Sequence, residues 1–469
     1  MEANNLPPED LIIRGSWILT MSDNGDIRDG AVHISKGKIL NVGAFSTLRQ
    51  NFPKVKIFGN GSGIVTPGLI NAHTHFSEAL IPGMGSEMTL FEWGREIVTP
   101  VGEILDIESA REGTILKGIE MLHSGVTYVN DMFVHSNPKT MASLGVVQGL
   151  KLLGMRGCVS FGAEDCPDGV TAHKSMSIDK IMQEHFELES SVRDENLIDF
   201  RLGIGTLLGQ TDKLFKKSID ESKKHDWKVH THLLECREEI VNSSLRWGCK
   251  PLQHAQKKGL LDLDLTAAHM IWVNEQDISL LNKHKFSVIH NPVANMILGS
   301  GVCPVQRFRN ESINVGIGTD GSASNDSQNL IESIKITPML QKVHNLDPSV
   351  MSAKDALIMA TIEGAKALGI SDIVGSIETG KKADLVLFSE NSELASINDP
   401  YQQIVYCTSP RSVSDVWVDG VRLLKNGETT TVNESEQVKN SRLIAMELVK
   451  DSGLVDKGYS KNYLNDIKI

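Results

Sequence analysis

The chain has 469 residues, 40% of them hydrophobic, and a formal net charge of −12. That acidic balance argues against nucleic acid or an anionic membrane surface as a partner, and no run approaches the ~18 apolar residues that would span a bilayer. The length asks for one large domain with a small one, or for two of medium size.

The opening stretch, "MEANNLPPEDL", has no basic segment followed by an apolar one, so it lacks the form of a secretion signal. The six cysteines, Cys158, Cys166, Cys236, Cys249, Cys303 and Cys407, form no CxxC pair. They read as reduced thiols in a cytoplasmic protein. Residues 1–65 alternate short β-like runs with glycine turns, as in "DLIIRG", "SWILTM" and "GAVHISKGKILNVG". At "IVTPGLINAHTH" the pattern changes. Strand-length runs now alternate with longer helical ones: "GVTYVNDM", "GMRGCVSF", "DFRLGIGT", "KVHTHLL", "TAAHMIWV", "FSVIHNP" and "NVGIGTD". One helix is expected over Val101 to His123, stopped by Gly125. Eight strands with crossover helices predict a (β/α)8 TIM barrel over residues 66–374. β character returns over residues 375–432, in "GSIETGKKADLVLFS" and "SVSDVWVDGVRLLKNG", and is expected to join residues 1–65 in a small β-sandwich built from both chain termini. Residues 433–469 read as a C-terminal helical segment.

Polar titratable residues gather at the predicted strand ends. His73 and His75 are two apart, so both face one side of strand one, the barrel interior. The pair is open to two readings, a metal site or buried imidazoles satisfied by backbone carbonyls. His230, His232 and Glu235 close strand five, His269 strand six, His290 strand seven and Asp320 strand eight. Burying so many polar groups for packing alone would cost free energy, so their convergence in one pocket points to chemistry.

The motifs "PGLINAHTHF", "VHTHLLE", "AAHM", "IHNPVANMILGSGVCPV" and "GIGTDGSASND", in this order, closely resemble the amidohydrolase superfamily, and within it the branch of methylthioadenosine/S-adenosylhomocysteine deaminases, guanine-type deaminases and triazine chlorohydrolases. The resemblance covers essentially the whole chain. It implies one divalent metal, Zn²⁺ or alternatively Fe²⁺, held by His73, His75, His232 and Asp320 with a position open for water. It further implies Asp320 as proton acceptor, Glu235 as the acid that protonates a ring nitrogen, and His269 as the group that polarises water or steadies the oxyanion. The implied reaction is deamination of an aromatic heterocycle (a purine, a pterin or a related base or nucleoside) by hydroxide that the metal generates. Substrate and water would be the small-molecule partners, and the protein would be a homo-oligomer, a dimer or tetramer. No lysine closes strand four in "DFRLGIGTLLG", so a carboxylated-lysine bridge between two metals is excluded there.

The chain departs from those deaminases where they hold the nucleoside. Phe91 stands where they carry an acid two residues before Trp93, and "GTLLGQTD" lacks their histidine after strand four. Trp93 is either a substrate-facing wall or core. Glu78 either takes over a substrate contact or faces solvent. Ser322 caps the next helix or touches substrate, His290 is placed with the substrate-binding group, and His230 is read as a packing or supporting residue. Hydrolytic dechlorination of an s-triazine-like ring is chemically the same displacement and is the alternative. A non-catalytic scaffold would have to keep all these groups without using them.

Overall fold

The computed structural model describes residues 6–85, 87–171 and 176–459. Its strands, in chain order, are β1 Leu11–Ile18, β2 Ile27–Ser35, β3 Lys38–Ala44, β4 Lys56–Phe58, β5 Ile64–Pro67, β6 Leu69–Thr74, β7 Val126–Phe133, β8 Arg156–Phe161, β9 Ile198–Phe200, β10 Leu202–Thr206, β11 Val229–Leu233, β12 Leu265–His269, β13 Phe286–His290, β14 Asn314–Ile317, β15 Leu385–Phe388, β16 Val413–Val418, β17 Val421–Lys425 and β18 Glu428–Thr429.

The two ends of the chain meet in one sheet, ordered β18-β17-β16-β15-β5-β1-β2-β3, with β4 paired to β1. β5 is the seam, antiparallel to β15 and parallel to β1. Period-2 alternation sorts its faces. Leu11 and Ile13 pack with Val32, Val65, Leu385 and Trp417, whereas Ile12 between them packs with Leu48 of the helix Phe45–Asn51.

The middle of the chain forms a barrel-like α/β domain of parallel sheets, β6-β7-β8-β9 and β10-β11-β12-β13-β14. Ala163 bridges Ile204 in parallel, joining the two on one side. On the other side the Asp320 amide donates to the His73 carbonyl at 3.0 Å, linking the segment after β14 to β6. β7 is buried along its whole length, as a strand covered on both faces must be.

Two expected strands are each divided. "IVTPGLINAHTH" breaks at Gly68, so β5 belongs to the terminal sheet and β6 to the parallel one. A Cβ at Gly68 would lie 2.0 Å from Thr127 Oγ1, so only glycine permits the crossing. "DFRLGIGT" breaks at Arg201, whose buried guanidinium donates to the Leu368 carbonyl at 2.7 Å. The expected helix from Val101 starts later. Asp106 caps Ile107–His123 by accepting from the Ser109 amide, and Gly125, at φ +86°, ends it. The helix Glu434–Asp451 docks on it, with Gln437 Nε2 donating to Glu112 Oε2 at 2.7 Å. Residues 460–469 of the expected C-terminal segment, and His173, lie outside the described residues. Among the described residues no helix is long and apolar enough to cross a membrane.

A buried ion pair fastens the terminal sheet to the parallel one. Arg156 Nε and Nη2 donate to Asp384 at 2.9 and 3.2 Å, and both residues are under a tenth exposed. Asp384→Ala would remove both hydrogen bonds to carboxylate and leave the buried guanidinium only the more distant Asp419, 4.0 Å away. The expected loss is about 3–5 kcal/mol in reversible denaturant unfolding, against under about 1 kcal/mol for the exposed pair partner Asp29→Ala.

Candidate metal centre and active-site cavity

The site is assembled at the C-terminal ends of the parallel strands. His73 lies in β6 and His75 one residue beyond it, with their rings edge to face at 4.7 Å. His232 is in β11, His269 ends β12, and Asp320 follows β14. Asp320 is the hub. Its Oδ1 is 3.3 Å from His73 Nε2 and 3.2 Å from His75 Nε2, and its Oδ2 is 3.7 Å from His269 Nε2. His75 Nε2 is 3.0 Å from His232 Nε2.

Other bonds orient the rings. His75 Nδ1 donates to the Met132 carbonyl at 2.6 Å and His232 Nδ1 to the Gly205 carbonyl at 2.7 Å. A carbonyl only accepts, so both Nε2 lone pairs are left facing inward. His269 Nδ1 donates to Asn295 Oδ1 at 2.9 Å. His73 Nδ1 meets His230 Nε2 at 2.7 Å, and His230 Nδ1 meets Thr266 Oγ1 at 2.7 Å. His230 therefore sets the ring of His73 rather than facing the cavity.

These residues fit a cation. His73 Nε2 and His269 Nε2 are buried with no hydrogen-bond partner, a costly arrangement that an ion would relieve. Ligand atoms of His73, His232, His269 and Asp320 lie within 4.8 Å of one another, and His75 is as near to Asp320 by the distances above. Burial pushes His73 down to about 4 and His232 well below its ordinary value, keeping both imidazoles neutral as metal ligands must be. Burial also works against charge on His75. There the Asp320 hydrogen bond and the charge of Glu78 prevail and push it up to about 10, so this corner calls for positive charge, from a proton or from a metal.

Asp320 is held in the left-handed region at φ +69°, and His269 at +75°. Such backbone is costly outside glycine and persists only where neighbours enforce it. Around Asp320 they do: Thr74 Oγ1 and Gln328 Nε2 donate to its carbonyl at 3.0 and 2.8 Å, and its Oδ1 accepts from the Gly321 amide at 2.9 Å.

A half-open cavity lies over this cluster. Glu235, Glu78, Trp93, Glu164, Thr206 and Ser324 line it with His75, His232, His269 and Asp320. Glu235 Oε2 is 3.5 Å from His269 Nε2. Burial first, then the charges of Asp320 and Glu239, raise the Glu235 carboxyl well above the ordinary range, which favours its protonated form. Glu78 Oε2 accepts from the Ala323 amide at 3.0 Å, and Trp93 Nε1 donates to the Ala323 carbonyl at 2.9 Å. Two residues grouped with the substrate by sequence lie elsewhere. Ser322 is buried, accepting from Gln328 Nε2 at 3.2 Å, and Ser324 takes the lining place. His290 is fully buried with both ring nitrogens unbonded and lines no part of this cavity. Asn295 and Glu164 escaped the sequence reading. Asn295 stands inside the quoted "IHNPVAN", where the helix begun at Pro292 turns it back toward His269. Glu164 sits in a loop with no motif.

Parallel strands that deliver imidazoles and a carboxylate to one buried point define a metallohydrolase-type α/β protein. Residues 64–423 match the model of the amidohydrolase family. A 5-methylthioadenosine/S-adenosylhomocysteine deaminase of Thermodesulfovibrio yellowstonii is 31% identical over 432 residues, 91% of this chain and 96% of that one. A 5'-deoxyadenosine deaminase of Methanopyrus kandleri is 33% identical over 390 residues, 82% of this chain and 86% of that one. Among solved structures, an adenosine deaminase from Xanthomonas campestris with bound zinc superposes with a TM-score of 0.88 at 30% identity, covering 95% of this chain and all of that one. The chain belongs to the amidohydrolase family.

Proposed function

We propose that this protein is a metal-dependent aminohydrolase that replaces the amino group of a purine nucleoside, or a closely related aromatic heterocycle, with solvent oxygen. The observation that carries the reading is the convergence of the unbonded, buried His73 and His269 nitrogens on Asp320 with the Glu235 carboxyl beside them. The adenosine-type deaminases that resemble the chain over most of its length point the same way.

His73, His75, His232 and Asp320 would hold one divalent ion, and Zn²⁺ is the first choice for three nitrogens and one oxygen, with Fe²⁺ compatible. When bound, the ion supplies Lewis acidity and makes water easier to deprotonate. The side chains do the rest. Trp93 and the apolar wall exclude water and orient the ring. Glu235 gives its proton to the ring nitrogen next to the amino-bearing carbon, making that carbon electrophilic. Asp320 Oδ2 takes one proton from the attacking water and passes it to the departing amine, and the hydroxyl proton left on the intermediate returns to Glu235 as ammonia leaves. His269, whose Nδ1–H is held by Asn295, presents the Nε2 lone pair to a proton of the attacking water and polarises it. The buried His230–Thr266 pair keeps His73 in the tautomer that presents Nε2.

In this reading the parallel sheets close as an eight-stranded barrel over residues 66–374, supported by the Ala163–Ile204 bridge and the Asp320–His73 bond. Residues 1–65 and 375–432 form the sandwich-like domain around the shared cluster of Leu11, Val65 and Trp417, and residues 433–469 form the C-terminal appendage. Six unpaired cysteines suit a cytoplasmic location. Chelation tests the metal claim. Ammonia release from adenosine-type nucleosides should vanish on dialysis against chelator and return with about one equivalent of zinc. Undiminished release without metal would reject it.

A further inference from the structure

Glu239 is a buried carboxyl to which the proposed chemistry assigns no part. It is the third residue of the helix Arg237–Trp247, which starts just after Glu235. At an ordinary helix start, an acid in this place reaches back to the amide of the capping residue, here Cys236. Glu239 reaches one residue further. Its Oε2 accepts from the Glu235 amide at 3.0 Å. Its Oε1 is buried without a hydrogen-bond partner. An oxygen left in that state costs free energy, and a helix start alone does not call for it.

The turn that Glu239 closes is strained. Leu234 is held in the left-handed region at φ +53°, a backbone that only glycine adopts at little cost. The Leu234 carbonyl accepts from the amides of Ile271 and Trp272, at 2.9 and 3.0 Å, just past β12. That second segment is itself left-handed at His269 and Met270, at φ +75° and +48°. The two turns therefore brace each other, and they carry Glu235 and His269, whose side chains approach to 3.5 Å. The carbonyl bonds fix the Leu234 end of the first turn. Its Glu235 end is held by the bond from the Glu235 amide to Glu239.

Resting on the deaminase reading, we infer that Glu239 is a positioning residue for the proton donor: by accepting from the Glu235 amide it locks the turn after β11 and holds the Glu235 carboxyl in its place beside His269. Glu239 stands outside the proposed ligand set, and no proton of the reaction passes through it. It acts through Glu235, and what it needs for that is an accepting oxygen at the right reach rather than a charge.

The test is a double-mutant cycle on zinc-loaded protein with 5'-deoxyadenosine as substrate. It reads kcat, KM, metal content and hydrogen exchange at the Glu235 amide. Glu239→Ala should keep its zinc and lose kcat by about 10- to 100-fold with KM within about 3-fold, as misplacement of a catalytic group does. Exchange at the Glu235 amide should quicken by about 10-fold or more as its bond is lost. Glu239→Gln retains an accepting oxygen and should restore kcat to within about 3-fold of wild type. Adding Glu239→Ala to Glu235→Gln, where the proton is already gone, should lower turnover by no more than about 2-fold further. Wild-type kcat in Glu239→Ala, a Glu239→Gln as impaired as Glu239→Ala, or a full further loss in the double variant overturns the inference. If Glu239→Ala does not fold, Glu239→Met fills the same space without an acceptor and takes its place in the cycle. If wild type releases no ammonia, the deaminase reading fails by itself, and exchange at the Glu235 amide still decides whether Glu239 holds the turn.

Discussion

Glu235→Gln is expected to retain its metal and lose turnover by about 10³-fold, within the range that a positioned proton donor contributes. The substitution keeps the shape of the side chain, leaves the amide that donates to Glu239 Oε2 at 3.0 Å, and touches no nitrogen or oxygen of the proposed ligand set. What it removes is the proton. Without it the ring nitrogen stays unprotonated and the amino-bearing carbon is a poor electrophile. kcat should fall far more than KM rises, because the interaction is made in the transition state rather than on binding. A variant with more than about a tenth of wild-type kcat would place the acid elsewhere. Glu78 would then be first in line, since burial pushes it up to about 7 on the same cavity wall.

Asp320→Ala is expected to abolish both metal retention and turnover. Its carboxylate is the single oxygen among the proposed ligand atoms and the point that His73, His75 and His269 approach, at 3.2 to 3.7 Å. Removing a proposed ligand outright should cost more than the ~10–100-fold in affinity lost when only an outer partner of a ligand goes. Metal analysis after dialysis should find the ion gone. Alanine also has no side-chain oxygen for the Gly321 amide and disfavours the left-handed backbone at this position, so some loss of stability should accompany the loss of metal. Asp320→Asn separates the two effects. It keeps the shape and an acceptor for Gly321, so it should fold as wild type yet remain inactive. An Asp320→Asn protein with normal metal content and normal turnover would remove Asp320 from the mechanism.

The convergence of His73, His75, His232, His269 and Asp320 was legible because strands declare their faces by a period of two, and because polar residues at strand ends have few bland explanations. That logic is weaker on depth. His290 and Ser322 also stand at or just past strand ends, yet the chain turns away at Pro292 and at Gly321, and both side chains are buried outside the cavity. The terminal sheet was visible as β-rich composition at both ends of the chain. Its seam was not, because the crossing at Gly68 depends on how near Thr127 approaches, and that contact is distant in sequence. Glu164 was illegible for the same reason. Its setting comes from Thr171, Thr206 and glycines of another loop, and nothing in "FGAEDCPDG" announces a carboxyl turned inward. His230 was visible as a second HxH, but its service to His73 depends on the spacing of β6 and β11 across the parallel sheets.

The most direct test of the central claim is turnover of adenosine-type nucleosides by zinc-loaded protein in heavy-oxygen water, with ammonia and product mass followed together. The account predicts one ammonia per product and one solvent oxygen in place of the amino group. Metal-replete, folded protein that yields neither from any of these nucleosides would contradict it.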